Sequence, residues 1–317
     1  NKLLTMTNTQ ETEDFFLSIA IPTWNRYEDV VKAVESVGLE KYHDIELVIV
    51  DNHSEKYFWD KIYFKYKNHR QVKLYRNEKN IGMTPNWNKA LGLCRGAWLS
   101  LLCSDDVFIE DGFQKAYELL KSIKKPMLVI QNPTLQKNTI LKAGVEASRG
   151  INLPIMSGNF VHCNCINKLG MFNENLKYSP DGEYWIRIAT KFPVLMCAQN
   201  FAKYHSHQDN YAWHTWLKDD VVEQMIAIEE LRNHYKQKVE NIDKSKMEWE
   251  YFLFFVKNSI GKAEHKDIVL KYLPILKKNM NSVKRKKQMV TVYLIYFFRS
   301  FVPKFLQKII KNLWLKL

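Results

Sequence analysis

Two adjacent carboxylates, Asp105 and Asp106, follow the apolar run Trp98–Cys103 (WLSLLC). Like charges side by side are costly unless a cation or hydrogen bonds hold them ionised. A hard divalent cation does this, and Mg²⁺ typically takes one or two carboxylates plus substrate phosphates. The plain alternative is a helix start, where Asp is favoured. A third acid, Asp51, ends the run Ile45–Val50 (IELVIV). There it can accept hydrogen bonds from a base or ribose, or close an Asx turn with Asn52 and Ser54. Asn80-Ile81-Gly82 and Asn88 lie between these acids in the chain. Gly82 permits positive φ and a close approach of backbone to ligand, and asparagine amides both donate and accept; a turn and a helix cap would use the same residues. Further on, Asp181-Gly182-Glu183-Tyr184-Trp185 opens an apparent helix. A carboxylate at that place is a cap or a general base for a hydroxyl within hydrogen-bond reach.

The elements that must position these groups are legible from the apolar pattern. Phe15–Ile21 (FFLSIAI) and Ile45–Val50 have the length and β-branched content of buried parallel strands. The spacing predicts an amphipathic helix over Glu28–Val37, a short strand over Val72–Tyr75, a helix over Asn86–Cys94 and a third buried strand over Trp98–Cys103. This β-α-β-α-β alternation predicts a doubly wound α/β domain, with ligands at the carboxyl ends of its strands. Polar clusters occur at those ends: Pro22-Thr23-Trp24-Asn25-Arg26, Asp51-Asn52-His53-Ser54 and Ser104-Asp105-Asp106. Residues 126–201 read as short strands and loops. Trp216–Val239, Met247–Val256 and Lys266–Lys277 have helical periodicity.

The chain has 317 residues, 46% hydrophobic and 26% charged, which excludes a disordered polypeptide. Its net charge is +13, and residues 284–317 hold nine Lys or Arg and no acid. The remainder is close to neutral, so no nucleic-acid partner is expected. Five cysteines in no metal-binding or disulfide spacing predict reduced thiols. No secretory signal and no bilayer-spanning run is expected, which points to a cytoplasmic protein.

Ser18 to Arg26, then Val50-Asp51-Asn52-His53-Ser54, then Asn80-Ile81-Gly82 with Asn88, then Ser104-Asp105-Asp106 resemble the family 2 glycosyltransferases over about residues 15–210. Each motif alone is weak; four in order, each at a strand end, are not. The resemblance implies a GT-A fold: a mostly parallel doubly wound sheet, here with a helical C-terminal region. It also implies roles. Pro22, Thr23, Asn25, Arg26, Asp51, Asn80, Gly82, Asn88 and Ser104 would bind the nucleotide of a sugar donor, a UDP-sugar. Asp105, with Asp106, would hold Mn²⁺ or Mg²⁺. The family often has Asp-x-Asp where this chain has Cys103-Ser104-Asp105. Gly170-x-Phe172-x-Glu174 followed by Asp181-x-Glu183-x-Trp185-x-Arg187 resembles the stretch leading to the family's base, which assigns catalysis to Asp181 with Glu183 beside it; Pro180 stands where an acid is usual. Tyr204-x-x-His207 resembles a late Tyr-x-x-His near phosphates or metal, with His205 as the alternative. Inversion at the anomeric carbon is also implied.

The tail has its own character. Met289–Phe298 is apolar but only ten residues long. Phe305, Leu306, Ile309, Ile310 and Leu313 follow helical spacing, with Lys304, Lys308 and Lys311 on another side. This pattern predicts an interfacial helix on an anionic membrane surface, with packing on the core or on a second copy as the alternative. A lipid-linked glycan acceptor in surface polysaccharide synthesis, at the inner face of the cell membrane, suits it. The expected organisation is a catalytic domain over 15–212, with a nucleotide-sugar half at about 15–110 and an acceptor half at about 111–212. A helical region over 213–282 and a membrane-associating tail over 283–317 follow. The rival functions are a sugar-phosphate nucleotidyltransferase, which usually has a Gly-rich phosphate loop where residues 15–40 hold only Gly38, and a non-catalytic membrane-surface scaffold of the same fold.

Overall fold

The structure, a computed structural model, describes residues 15–144, 147–148, 156–176, 179–205, 228–231 and 233–235. The chain divides into two compact units, Asn1–Asn210 with Leu231–Val239, and Tyr211–Glu230 with Glu240–Leu317. Every element named below belongs to the first. His207, the tail expected over 283–317 and nearly all of the helical region expected over 213–282 lie outside the described residues.

The first half follows the alternation read from the sequence. β1 (Leu17–Thr23) leads to α1 (Tyr27–Glu35), β2 (Ile45–Asp51), α2 (Lys56–Tyr66), β3 (Val72–Arg76), α3 (Met83–Gly92) and β4 (Trp98–Leu101). Every residue of β1 and β2 is buried, as in strands covered on both faces. β5 (Val107–Phe108), α4 (Glu110–Ser122), β6 (Leu128–Gln131), β7 (Thr139–Leu141), β8 (Phe160–His162), α5 (Cys163–Leu169), α6 (Pro180–Ala189), β9 (Val194–Cys197) and β10 (Ala202–Lys203) follow. Eight strands form one sheet in the order β3-β2-β1-β4-β8-β6-β9-β7, and β5 pairs with β10 in a small second sheet. Only β8 and β7 run against the rest of the large sheet. The architecture is thus the mixed α/β, mostly parallel sheet expected.

Alternate strand residues feed two cores. Leu17, Ile19 and Ile21 pack with Val30 and Val34 of α1, Ile62 of α2 and Phe113 and Leu120 of α4. Ala20, Val48 and Val50 pack on the opposite face with Leu91 of α3, Ile166 of α5 and Tyr184, Trp185 and Ile188 of α6. Full burial of each such side chain contributes roughly 1.5–3 kcal/mol. A buried acid, Glu46, crosses these strands. It accepts from the Ser18 hydroxyl at 2.6 Å and the Arg95 N–H at 2.7 Å, and pairs with the Arg95 guanidinium at 3.2 Å. Gly96 sits so close that a Cβ there would lie 2.6 Å from the Ser18 nitrogen. These contacts hold the lead into β4, and hence the acids after it.

Several boundaries differ from the sequence reading, β1 running on to Thr23 and α1 ending at Glu35 among them, and two bear on the site. α3 begins three residues early, because Gly82 at φ 90° caps it and Pro85 fits its first turn. β4 stops at Leu101 rather than Cys103, because the Cys103 N–H leaves the ladder to donate to the Ser157 hydroxyl at 3.1 Å.

Candidate functional site

The carboxyl ends of β1 and β2 are adjacent, with Thr23 in register with Asp51. Asp51 is fully buried. It accepts from the Ser54 N–H at 3.0 Å and from the Ser54 hydroxyl, and pairs with Arg76 at 3.2 Å. Arg76 stands in register with Asp51 at the end of β3 and lies over the Trp59 ring at 5.7 Å. Burial outweighs these partners and raises the Asp51 pKa. The Thr23 hydroxyl beside it is buried and has no hydrogen-bond partner among the described residues, an incomplete polar site of the kind a ligand completes. Asn25 holds a left-handed backbone at φ 53°, donates its N–H to the Ser54 hydroxyl at 2.7 Å and accepts from the Glu55 N–H at 2.8 Å. Pro22 is buried in the strand one residue before its end.

An asparagine network shapes the next wall. The Asn52 amide donates to the Asn80 side-chain oxygen at 2.9 Å and the Gly82 carbonyl at 3.1 Å. Its oxygen accepts from the Asn77 amide at 2.9 Å and the Ile81 N–H at 3.0 Å. Asn80 and Gly82 thus belong to one rigid turn beside Asp51. Asn88 does not join them. Both of its amide hydrogens go to the 172–174 loop, at 2.9 Å to the Phe172 carbonyl and 2.8 Å to Glu174, and its oxygen accepts from the Phe172 N–H. In this geometry the Asn88 amide ties α3 to that loop.

The acids after β4 form the third wall. Asp105 pairs with Arg26 at 2.9 Å, which joins the end of β1 to the end of β4. Asp106 is buried, accepts from the Ser157 hydroxyl at 2.6 Å and from the His205 N–H at 2.9 Å. Burial pushes its carboxyl up to about 6, and a nearby cation would favour the ionised form. Ser104, just before them in the chain, is also buried. Ligand atoms of Cys103, Asp105 and Asp106 lie within 4.8 Å of one another. The two carboxylates suit a hard divalent ion, and the thiol lies beside them. The Cys103 thiol is held well above its usual range by burial and by Asp106, Asp105 and Asp181. Tyr204 is raised by burial and by the same two aspartates and Cys103, so the chain at 204–205 also faces the cluster.

Asp181 lies in the first turn of α6, where its charge is felt at Cys103. Glu183 is two residues away and turns elsewhere, as helical spacing requires. It is 1% exposed and receives Arg187 in a bidentate pair at 2.6 and 3.1 Å. The same guanidinium donates to the carbonyls of Leu169 and Met171 at 2.6 and 2.7 Å. In this placement Glu183 anchors α6 through Arg187.

Several participants carried no signal in the sequence reading. Ser157 supports Asp106 from a loop 51 residues away. Gln131 holds that loop, donating to the Ser157 carbonyl at 2.8 Å and accepting from the N–H groups of Phe201 and Ala202 at 2.7 and 3.0 Å. Arg76 was discoverable in principle, as a base at the end of the strand beside Asp51.

Residues 18–155 match the family model described as glycosyl transferase family 2. An uncharacterized glycosyltransferase of Methanocaldococcus jannaschii is 23% identical over 72% of this chain and 82% of its own. The Escherichia coli UDP-Glc:alpha-D-GlcNAc-diphosphoundecaprenol beta-1,3-glucosyltransferase WfaP is 24% identical over 55% of this chain and 70% of its own. Among solved structures, S. aureus TarS in complex with UDP-GlcNAc superposes with a TM-score of 0.55 at 15% identity, covering 90% of this chain and 88% of that one. Mannosyltransferase PcManGT from Pyrobaculum calidifontis, in complex with GDP-Man and Mn2+, gives a TM-score of 0.52 at 14% identity, covering 95% and 87%. The mostly parallel sheet and its helices therefore have the GT-A architecture of these neighbours. Among the described residues no helix is long and apolar enough to cross a membrane.

Proposed function

We propose that the chain transfers a sugar from a UDP-sugar to a hydroxyl of a lipid-linked glycan, with inversion at the anomeric carbon. One observation carries this reading: the unpartnered Thr23 hydroxyl and the buried Asp51 stand beside an acid cluster that Arg26 ties to the end of β1. The TarS complex with UDP-GlcNAc and the lipid-linked substrate in the name of WfaP support it.

Thr23, Asn25 and Asp51 would hold the nucleoside, with the turn of Asn80 and Gly82 as one wall. Asp105 and Asp106 would hold Mn²⁺ or Mg²⁺, whose charge, when bound, offsets that of the departing diphosphate; the Mn2+ complex of PcManGT supports an ion there. Arg26 is near enough to Asp105 to orient it. Asp181 would take the proton of the acceptor hydroxyl as its oxygen bonds to the anomeric carbon and the bond to the diphosphate breaks on the opposite face. His207, outside the described residues, is retained as a candidate contact to the metal or phosphates, with His205 the described neighbour of Asp106. Residues 284–317 would bind an anionic membrane at its cytoplasmic face.

The test is a panel of nucleotide sugars with Mn²⁺, Mg²⁺ or EDTA, read by product. Release of nucleoside diphosphate that EDTA abolishes supports the reading. Release of pyrophosphate from a nucleoside triphosphate and a sugar phosphate would replace it with a nucleotidyltransferase, and no turnover of any donor with a scaffold.

A further inference from the structure

α2 packs on the sheet with Ile62 and Tyr66, and its opposite face carries aromatic rings into solvent. Tyr57 and Phe64 are 62% and 66% exposed, and Tyr63 beside Phe64 is 42% exposed. Tyr57 and Phe64 are seven residues apart, two helical turns, so they share one outward stripe. Exposed apolar groups are ordinary when scattered; two large rings in line on one helix are a patch.

Lysines flank and cover that stripe. The Lys61 ammonium lies 4.3 Å from the centre of the Tyr57 ring, and that of Lys67 4.9 Å from Phe64. Between residues 56 and 73 the chain has six Lys or Arg and one acid, Asp60. Asp60 is paired with Lys56 at 2.5 Å. Glu55 precedes the helix, and Glu28 and Glu35 of α1 meet Lys61 and Lys65 at 3.9 and 3.7 Å and are themselves exposed. Exposed pairs of this kind contribute little and exchange readily for other anions.

We propose that this face of α2 docks the protein on an anionic phospholipid bilayer, with Tyr57 and Phe64 entering the headgroup–acyl boundary and Lys61, Lys65 and Lys67 meeting lipid phosphates. Rings with an apolar body suit that boundary, and lysine stems reach along apolar surface while their ammonium groups stay with polar partners. A patch of basic charge would draw the helix to acidic lipid and not to neutral lipid. α2 starts five residues after Asp51, and Trp59 on it lies against the Arg76 that pairs with Asp51. A docked α2 therefore keeps the nucleotide end of the sheet near the membrane plane, where a lipid-linked acceptor resides; this last point alone rests on the proposed function. The surface is distinct from the basic tail.

The test is co-sedimentation of the full chain with vesicles of phosphatidylglycerol and phosphatidylcholine, and with phosphatidylcholine alone. Three full-length variants are compared with wild type: Tyr57→Ser with Phe64→Ser; Lys61→Gln with Lys65→Gln and Lys67→Gln; and Lys284→Gln with Arg285→Gln, Lys286→Gln and Lys287→Gln in the tail. The aromatic pair should lower partition onto acidic vesicles about tenfold, and each α2 lysine removed should lower it about fivefold. Hydroxyl-radical footprinting should find Tyr57 and Phe64 protected on acidic vesicles only. Donor hydrolysis in solution should be unchanged by the aromatic pair, so a failure of docking is separable from a failure of the transferase reading. Loss of binding in the tail variant alone, with wild-type binding in both α2 variants, overturns the proposal. So does protection of Tyr57 and Phe64 without vesicles in a dimer that forms as concentration rises, which would give the face to a second copy of the chain.

Discussion

Asp105 and Asp181 divide the proposed chemistry between donor and acceptor, and single substitutions separate them. Asp105→Asn removes half of the carboxylate charge at the cluster and the partner of Arg26. It should cut nucleoside diphosphate release by about 10²–10³-fold with an unchanged circular dichroism spectrum; full turnover at matched metal would remove Asp105 from the ion. Asp181→Asn should slow the chemical step by roughly 10²–10⁴-fold while the Kd for donor stays as in the parent. Glu183→Gln should behave differently. Its ion pair with Arg187 is buried, and breaking such a pair costs about 3–5 kcal/mol. The melting temperature should fall, and activity per folded molecule should persist. A Glu183→Gln protein that melts normally yet does not turn over would return the base to Glu183.

Elements are coupled here by small polar side chains rather than by regular pairing. Asn52 makes four hydrogen bonds across the turn that includes Asn80 and Gly82. Asn52→Ala leaves those partners to find water or go unpaired, at about 1–3 kcal/mol, and should raise KM for donor more than it lowers kcat. Steady-state kinetics with varied donor reads the difference. On the other side, Gly158 holds φ 82° against Gln131, and a Cβ there would fall 2.5 Å from the Gln131 amide nitrogen. Gly158→Ala should therefore shift Gln131, release the 201–205 segment that carries the His205 N–H to Asp106, and weaken metal-dependent activity. Mn²⁺ binding followed by electron paramagnetic resonance checks it, with parent-like affinity as the contrary result.

For the whole molecule the useful quantity is how ligand occupancy moves the folding equilibrium. UDP at 100 times its Kd should stabilise the native state by about 2.7 kcal/mol, as mass action requires for any ligand that binds only the folded chain. Differential scanning calorimetry should show this shift with Mn²⁺ and UDP together, and a smaller one in Asp51→Asn. An equal shift in that variant would take Asp51 out of the nucleotide site.

Periodicity and strand-end chemistry make the first half of the sheet legible in the sequence. Buried parallel strands read as unbroken apolar runs, and Asp51, Asp105 and the Thr23–Arg26 segment fall at their ends, where the α/β architecture collects polar groups. These are local properties of the chain, each confined to about ten residues. The second half was less legible because β6 to β10 are two to four residues long and their partners are distant: β8 inserts between β4 and β6. No local pattern states such a pairing. The division of labour among acids was likewise out of reach of spacing. Asp181 and Glu183 differ by two residues in one helix, and only packing sends one toward Cys103 and buries the other on Arg187. Nor does the sequence state that the Asn88 amide finds partners in the 172–174 loop. Sequence alone determined which residue types stand at the strand ends. Tertiary structure decided which of them keep polar capacity for a ligand, because hydrogen bonds to residues 28 to 99 positions away consume the rest.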